Sequence, residues 1–133
     1  MIAVDTNILV RVLTKDDGIQ ATRALEVLRT GPIWVPKTVF LETEWVLRGA
    51  YKLSPQIIHA SLARLASTEG ITIEDAASIG RALTLLSEGM DLADALHLSS
   101  SAKASELVTF DRSFAKHAGS FDATPPVRLL PTR

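Results

Sequence analysis

Four acidic residues in this 133-residue chain are hard to explain by solvation alone: Asp5 in AVDTN, Glu42 in LETEW, Asp94 in DLADALHL and Asp111 in TFDRSF. Asp94 is the sharpest case. It follows Asp91 by three residues, at the head of a run that otherwise reads as a helix packed into a core. An unpaired carboxylate placed there either loses its hydration or takes up a proton. Carboxylates gathered together raise one another's proton affinity unless a cation sits among them. A hard divalent ion resolves the conflict. Mg²⁺, with Mn²⁺ able to substitute, prefers oxygen ligands, keeps several waters and is typically held by a few carboxylates plus substrate phosphate. Zinc suits the sequence less, because there is no cysteine and His59, His97 and His117 do not pair at ligand spacing.

The elements that must position these acids follow from periodicity. Short β-rich runs alternate with longer stretches of 3.6-residue period, which argues for parallel βαβ units in an α/β fold. Strands are predicted at 2–5, 33–36, 71–74, 107–110 and 127–130. Helices are predicted at 6–14, 19–29, 38–50, 55–67, 75–88, 91–104 and 112–117, with breaks at Gly31-Pro32, Ser54-Pro55, Gly70 and Gly89. In an open parallel sheet, ligands bind outside the carboxyl ends of the strands. Asp5 ends the first strand and Asp111 follows the fourth. Glu42 falls in the second turn of the helix leaving the second strand, and Asp94 in the first turn of the helix leading down to the fourth. Four acids from four segments are thereby expected at one edge.

Simpler readings compete with this one. Aspartate is a favoured helix cap, and acids are favoured in first helical turns, so Asp5, Asp91 and Asp111 could all be caps. For Asp91 the cap is the better reading, with Asp94 completing a capping-box-like exchange. Glu42 has Thr38, Val39, Trp45 and Val46 as its helical neighbours and no cation among them, whereas Glu44 has Arg48 four residues on. That contrast predicts a solvated Glu44 and a Glu42 turned into the protein. Trp34 and Trp45 read as core residues, and His97 as a surface or half-buried helix residue. Arg11, Lys15 and Arg112 are placed near the acidic edge, where they could meet the phosphates of a ligand or serve only as solvated surface.

Bulk properties narrow the function. The length suits one domain, residues 1–133. Fourteen Lys and Arg against fifteen Asp and Glu leave no basic footprint, so any nucleic-acid contact must be local. The absence of cysteine fits a reducing compartment. The opening MIAVDTNILV lacks the basic start and cleavage site of a secretion signal, and no apolar stretch is long enough to span a membrane. The chain therefore reads as a soluble cytoplasmic protein with no membrane partner.

Taken in order and spacing, MIAVDTNILVRVLTKDD, VFLETEWVLRG, DLADALHLSSSAK and LVTFDRSFAK resemble the PIN-domain ribonucleases, and within them the VapC toxins of toxin–antitoxin pairs. The likeness covers nearly the whole chain. It implies a three-layer α/β/α fold around a central parallel sheet of four to five strands. It also implies an acidic Mg²⁺ site of Asp5, Glu42, Asp94 and Asp111, with Asn7 and Thr109 as supporting polar groups. Asp5 and Asp94 would be the principal metal ligands, with Asp111 and Glu42 binding a second metal or acting through water to orient the first and help deprotonate the nucleophile. Further implications are an RNA substrate, with tRNA and rRNA among the candidates, products with 5′-phosphate and 3′-hydroxyl ends, a homodimer, and a short VapB-like antitoxin occupying the catalytic groove.

Two rivals come from other classes. A haloacid-dehalogenase-like phosphatase also begins with an Asp after the first strand, but it wants a second Asp two residues on, where this chain has Asn7. A catalytically silent module with the same fold would have no use for intact acids.

Overall fold

The computed structural model describes residues 1–121 and 123–132. The chain, which reads from its sequence as one domain, divides into two compact units, Met1–Ala76 and Ala77–Arg133.

In the first unit, β1 (Ile2–Ala3), β2 (Ile33–Val35) and β3 (Ile71–Ile73) form a parallel sheet in that order. Ile2 lies opposite Ile33, and Ile33 opposite Ile71. Two helices connect each pair of strands, α1 (Thr6–Thr14) and α2 (Gly18–Arg29), then α3 (Lys37–Gly49) and α4 (Pro55–Ser67). Asp5, Asp17 and Ser54 start α1, α2 and α4 by accepting the main-chain N–H three residues on, which satisfies donors that a helix leaves unpaired at its start. Apolar side chains recurring at helical spacing, among them Leu9, Val10, Phe40, Leu47, Ile58 and Leu62, are buried with Ile33, Val35 and Ile73 of the sheet.

The second unit runs α5 (Ala76–Ser87), α6 (Leu92–Ser99), β4 (Leu107–Thr109), α7 (Arg112–Ser120) and β5 (Val127–Leu129). β4 and β5 pair in parallel, with Thr109 opposite Leu129. Two residues past the end of α5 stands Gly89, whose φ of +102° suits glycine. There Met90 N–H donates to Leu85 O and Gly89 N–H to Leu86 O, both at 3.0 Å, a double closure that stops the helix and delivers Asp91 as the cap of α6.

The α/β class with parallel strands stands, and every strand lies where the sequence places it. Two expectations change. Among the described residues the strands pair as three and two, where one sheet of four to five was expected. β1 is two residues long, and the main-chain N–H groups of Ile2 and Val4 donate to Pro32 O and Trp34 O beside β2, so it has few ladder groups for further pairing. α6 stops at Ser99 and does not reach residue 104. The serine hydroxyls turn back on the helix, Ser99 Oγ to Ala95 O at 2.8 Å and Ser101 Oγ to His97 O at 2.6 Å, a competition for main-chain acceptors that weakens a helix end. No helix of the described residues is long and apolar enough to cross a membrane.

Candidate functional site

At the carboxyl edge of the first sheet, Asp5 is exposed and caps α1, its Oδ1 accepting from Ile8 N–H at 3.3 Å. One carboxylate oxygen serves the helix, and Oδ2 makes no hydrogen bond to a described residue. The next residue, Thr6, is buried, and its hydroxyl donates to Glu42 Oε1. Glu42 is thus tied to the start of α1, one residue from Asp5. The helix that carries it begins at the same edge: Pro36 supplies no side-chain cap, and Lys37 N–H donates instead to Glu74 Oε1 at 2.8 Å, while Lys37 Nζ pairs with Asp75 Oδ2 at 2.8 Å. Asn7 is exposed in the first turn of α1.

In the second unit, Asp91 Oδ2 accepts from Asp94 N–H at 3.3 Å, the expected cap. Asp94 is half-buried in the first turn of α6. Burial pushes its carboxyl above the usual carboxylate range, and the nearby charges of Asp91 and Asp111 push it further against the opposing influence of His97 and His117. Asp111 caps α7 through Phe114 N–H at 3.1 Å, and its own N–H donates to Thr109 Oγ1 at 3.0 Å. Thr109 therefore fixes the main chain at Asp111, which is a supporting role. His97 is exposed.

Several expected site residues are placed differently. Glu44 is 3% exposed and Glu42 lies on the exposed side, the reverse of the expectation. The Glu44–Arg48 pair itself is present, with Arg48 Nε and Nη2 donating at 2.9 and 3.2 Å. The inward face of α3 is Phe40, Thr43, Glu44 and Leu47, so the pair runs from the interior to a guanidinium at the rim. A long Arg stem permits that arrangement, and a helical ion pair does not imply two solvated partners. Trp34 is only half-buried, and Trp45, expected in the core, is 64% exposed because it sits one turn beyond Glu42 on the outward side.

Of the three cations, Lys15 is displaced from the acidic edge. It is the αL residue that ends α1, and nine helical residues put it roughly 13 Å down the axis from the end where Asp5 sits. Arg11 is committed to structure, bonded to Gln20 at 2.7 Å, Asp16 at 2.8 Å and Tyr51 at 2.9 Å. The Tyr51 hydroxyl, helped by Thr14 and Arg11, holds the Asp16 carboxyl below the usual carboxylate range. Arg112, at the first position of α7, stays beside Asp111. The residues that sequence reasoning missed are Thr6 and Glu74. The hydroxyl beside Asp5 was a usable signal for the first, whereas Glu74 acts across thirty-seven residues and leaves no local pattern.

Among the described residues, no group of three His, Cys, Asp or Glu side chains stands ready to cage a metal ion. The donor chemistry nonetheless suits a hard cation. Asp5 and Asp111 each spend one oxygen on a cap, and Asp94 is a carboxylate held at a cost that a neighbouring positive charge would relieve. A Mg²⁺-type ion completes its shell with water and substrate oxygens, so it does not need three protein ligands in place beforehand.

The protein is of α/β class, with carboxylates at the carboxyl ends of parallel strands in both units. The chain belongs to the PIN-domain family, whose model matches residues 2–120. PIN domains are typically nucleases that use divalent metals, so membership supports a hydrolase acting on nucleic acid, with the metal unspecified. No curated protein matches the chain.

Proposed function

We propose that this protein is a Mg²⁺-dependent endoribonuclease of the VapC toxin type, restrained by a short VapB-like antitoxin and acting as a homodimer in the cytoplasm. The observation that carries the reading is Asp94: a half-buried carboxylate raised by burial and by two neighbouring aspartates calls for a cation. The family match, which runs across both units, supports assigning Asp5, Glu42, Asp94 and Asp111 to one reaction in a single functional domain.

In this reading Asp5, Asp94 and Asp111 would hold the metal. When bound, it would neutralise their charge, polarise the scissile phosphodiester and lower the pKa of an attacking water. Glu42, which accepts from the Thr6 hydroxyl, would take the proton that this water loses. Thr109 keeps Asp111 in register through the main chain. Attack on phosphorus by water, with the 3′ oxygen leaving, gives 5′-phosphate and 3′-hydroxyl ends.

The test is incubation of purified protein with total cellular RNA in Mg²⁺, Mn²⁺ or chelator, with sequencing of new 5′ ends. Discrete metal-dependent cuts that vanish in Asp94→Asn are expected. Cuts that persist in chelator, or none under any condition, would sink the reading. Expression of the chain alone should arrest growth, and Asp5→Asn should abolish the arrest while the protein stays folded.

A further inference from the structure

The segment TFDRSF contains two phenylalanines with opposite fates. Phe114 is 4% exposed and packed in the core, whereas Phe110, the residue before Asp111, is 64% exposed. Keeping a phenyl ring in water forgoes the burial that normally accounts for an aromatic side chain in a small domain. On the other side of Asp111 stands Arg112, which is exposed and makes no hydrogen bond or ion pair with another described residue. Arg11, Arg81 and Arg128, by contrast, are each anchored to a neighbour. Phe110 and Arg112 line one cavity of about 220 Å³ with Leu129, Leu130, Pro131 and Thr132. A ring, a cation and an apolar wall therefore adjoin a carboxylate that the proposed reaction uses.

We propose that Phe110 and Arg112 form a nucleotide subsite, in which a base of single-stranded RNA stacks on the Phe110 ring and an adjacent phosphate pairs with the Arg112 guanidinium. The inference rests on the nuclease reading above and names how its substrate is gripped. Bases in a duplex stack on one another, so only an unpaired base can take the ring as its partner. The guanidinium's charge and planar fork match a phosphate. The pairing also supplies local positive charge in a chain with none to spare overall. Phosphate contact alone would tolerate any polyanion, and the ring adds a requirement for a base.

The experiment measures binding of a labelled oligouridylate and of an abasic oligonucleotide of equal length, both in chelator so that nothing is cut. Phe110→Ala should weaken oligouridylate binding about tenfold or more, the loss of one base stack, and should leave abasic binding unchanged. Phe110→Tyr should restore wild-type affinity. Arg112→Ala should weaken both ligands and flatten the dependence of log K on log salt by about 0.7, one phosphate contact on a single strand. Equal binding of wild type and Phe110→Ala to oligouridylate would overturn the subsite. So would an equal loss on the abasic strand, or an altered oligomeric state of Phe110→Ala with RNA binding intact, which would assign the ring to a protein contact. Cleavage assays separate the two levels. A wild type that cuts RNA with KM unaffected by Phe110→Ala removes the subsite alone, and a wild type that never cuts removes the nuclease reading and the subsite with it. Melting temperature checks that each variant is folded, and Phe110→Trp, which keeps an aromatic face, gives a second readout through quenching of the introduced indole.

Discussion

The two units hold their acids differently. In the first, Asp5 and Glu42 are linked through a neutral intermediary: one caps a helix, the other accepts from Thr6, and neither depends on a cation among the described residues. In the second, Asp91 and Asp111 press on the half-buried Asp94, which carries the cost as raised proton affinity. One half is a scaffolded arrangement that keeps its shape without ligand. In the other, burial and like charge favour the protonated form of Asp94, and a nearby positive charge would oppose that shift. In the nuclease reading proposed above, this contrast would make metal binding felt mainly through Asp94 and would leave Glu42 held by Thr6 whatever the metal content.

The largest expected effect is on cleavage by Asp94→Asn. Rates should fall by about a thousandfold or more, and the rise in melting temperature on adding Mg²⁺, which reports binding to the folded state, should shrink with it. An unchanged Mg²⁺ response would remove Asp94 from metal binding and with it the contrast. Glu42→Gln should lower the rate about a hundredfold at saturating Mg²⁺, and Thr6→Val about tenfold, because each disturbs a group that orients the chemistry without removing the metal's main ligand. If Thr6→Val matched Asp94→Asn, the first unit would be no mere scaffold.

Next in size is a stability effect. Glu44→Gln should cost about 1–2 kcal/mol in urea unfolding, since it weakens charge-assisted bonds at a buried position whose partner Arg48 is half-exposed. Its cleavage rate should stay near normal. A smaller effect concerns pH. Asp94 binds its proton more tightly folded than unfolded, so in the metal-free protein its own contribution to stability is fully present below the ordinary carboxylate range and is lost as pH rises through its raised value. Asp94→Asn should flatten this fall in melting temperature between acid and neutral pH, and a wild-type profile already flat over that window would contradict the assignment. Smallest of all, Lys15→Ala should change neither cleavage nor its salt dependence, given its place at the far end of α1.

Much of this was legible in the sequence because the signals are local. Asp5, Asp91 and Asp111 announce helix starts by residue type, the breaks at Gly31-Pro32 and Gly89 announce ends, and alternation of strand and helix gives parallel pairing. What escaped was set by rotation or by distance. The pair Glu44–Arg48 was correctly seen, but spacing alone does not say which way a pair faces, and Phe40, Thr43 and Leu47 decide it by turning that side inward. Trp45 was assigned to the core by residue type, yet the same rotation leaves it outside. Lys15, expected near the acidic edge, ends α1, because a helix carries the chain steadily away from its own start. The length of α6 was misjudged because a serine run keeps helical periodicity while its hydroxyls undo the last turn.

The bond from Glu74 to the first main-chain donor of α3 ties the start of that helix to a residue far along the chain. Pro36 lends that helix its carbonyl, which accepts from Phe40 N–H at 3.0 Å, but no side-chain cap, so the acceptor for Lys37 N–H comes from the end of β3, thirty-seven residues later. Without Glu74, the helix that carries Glu42 would lack about 1 kcal/mol of end stabilisation. The third strand thus helps fix the start of α3 from a distant part of the chain.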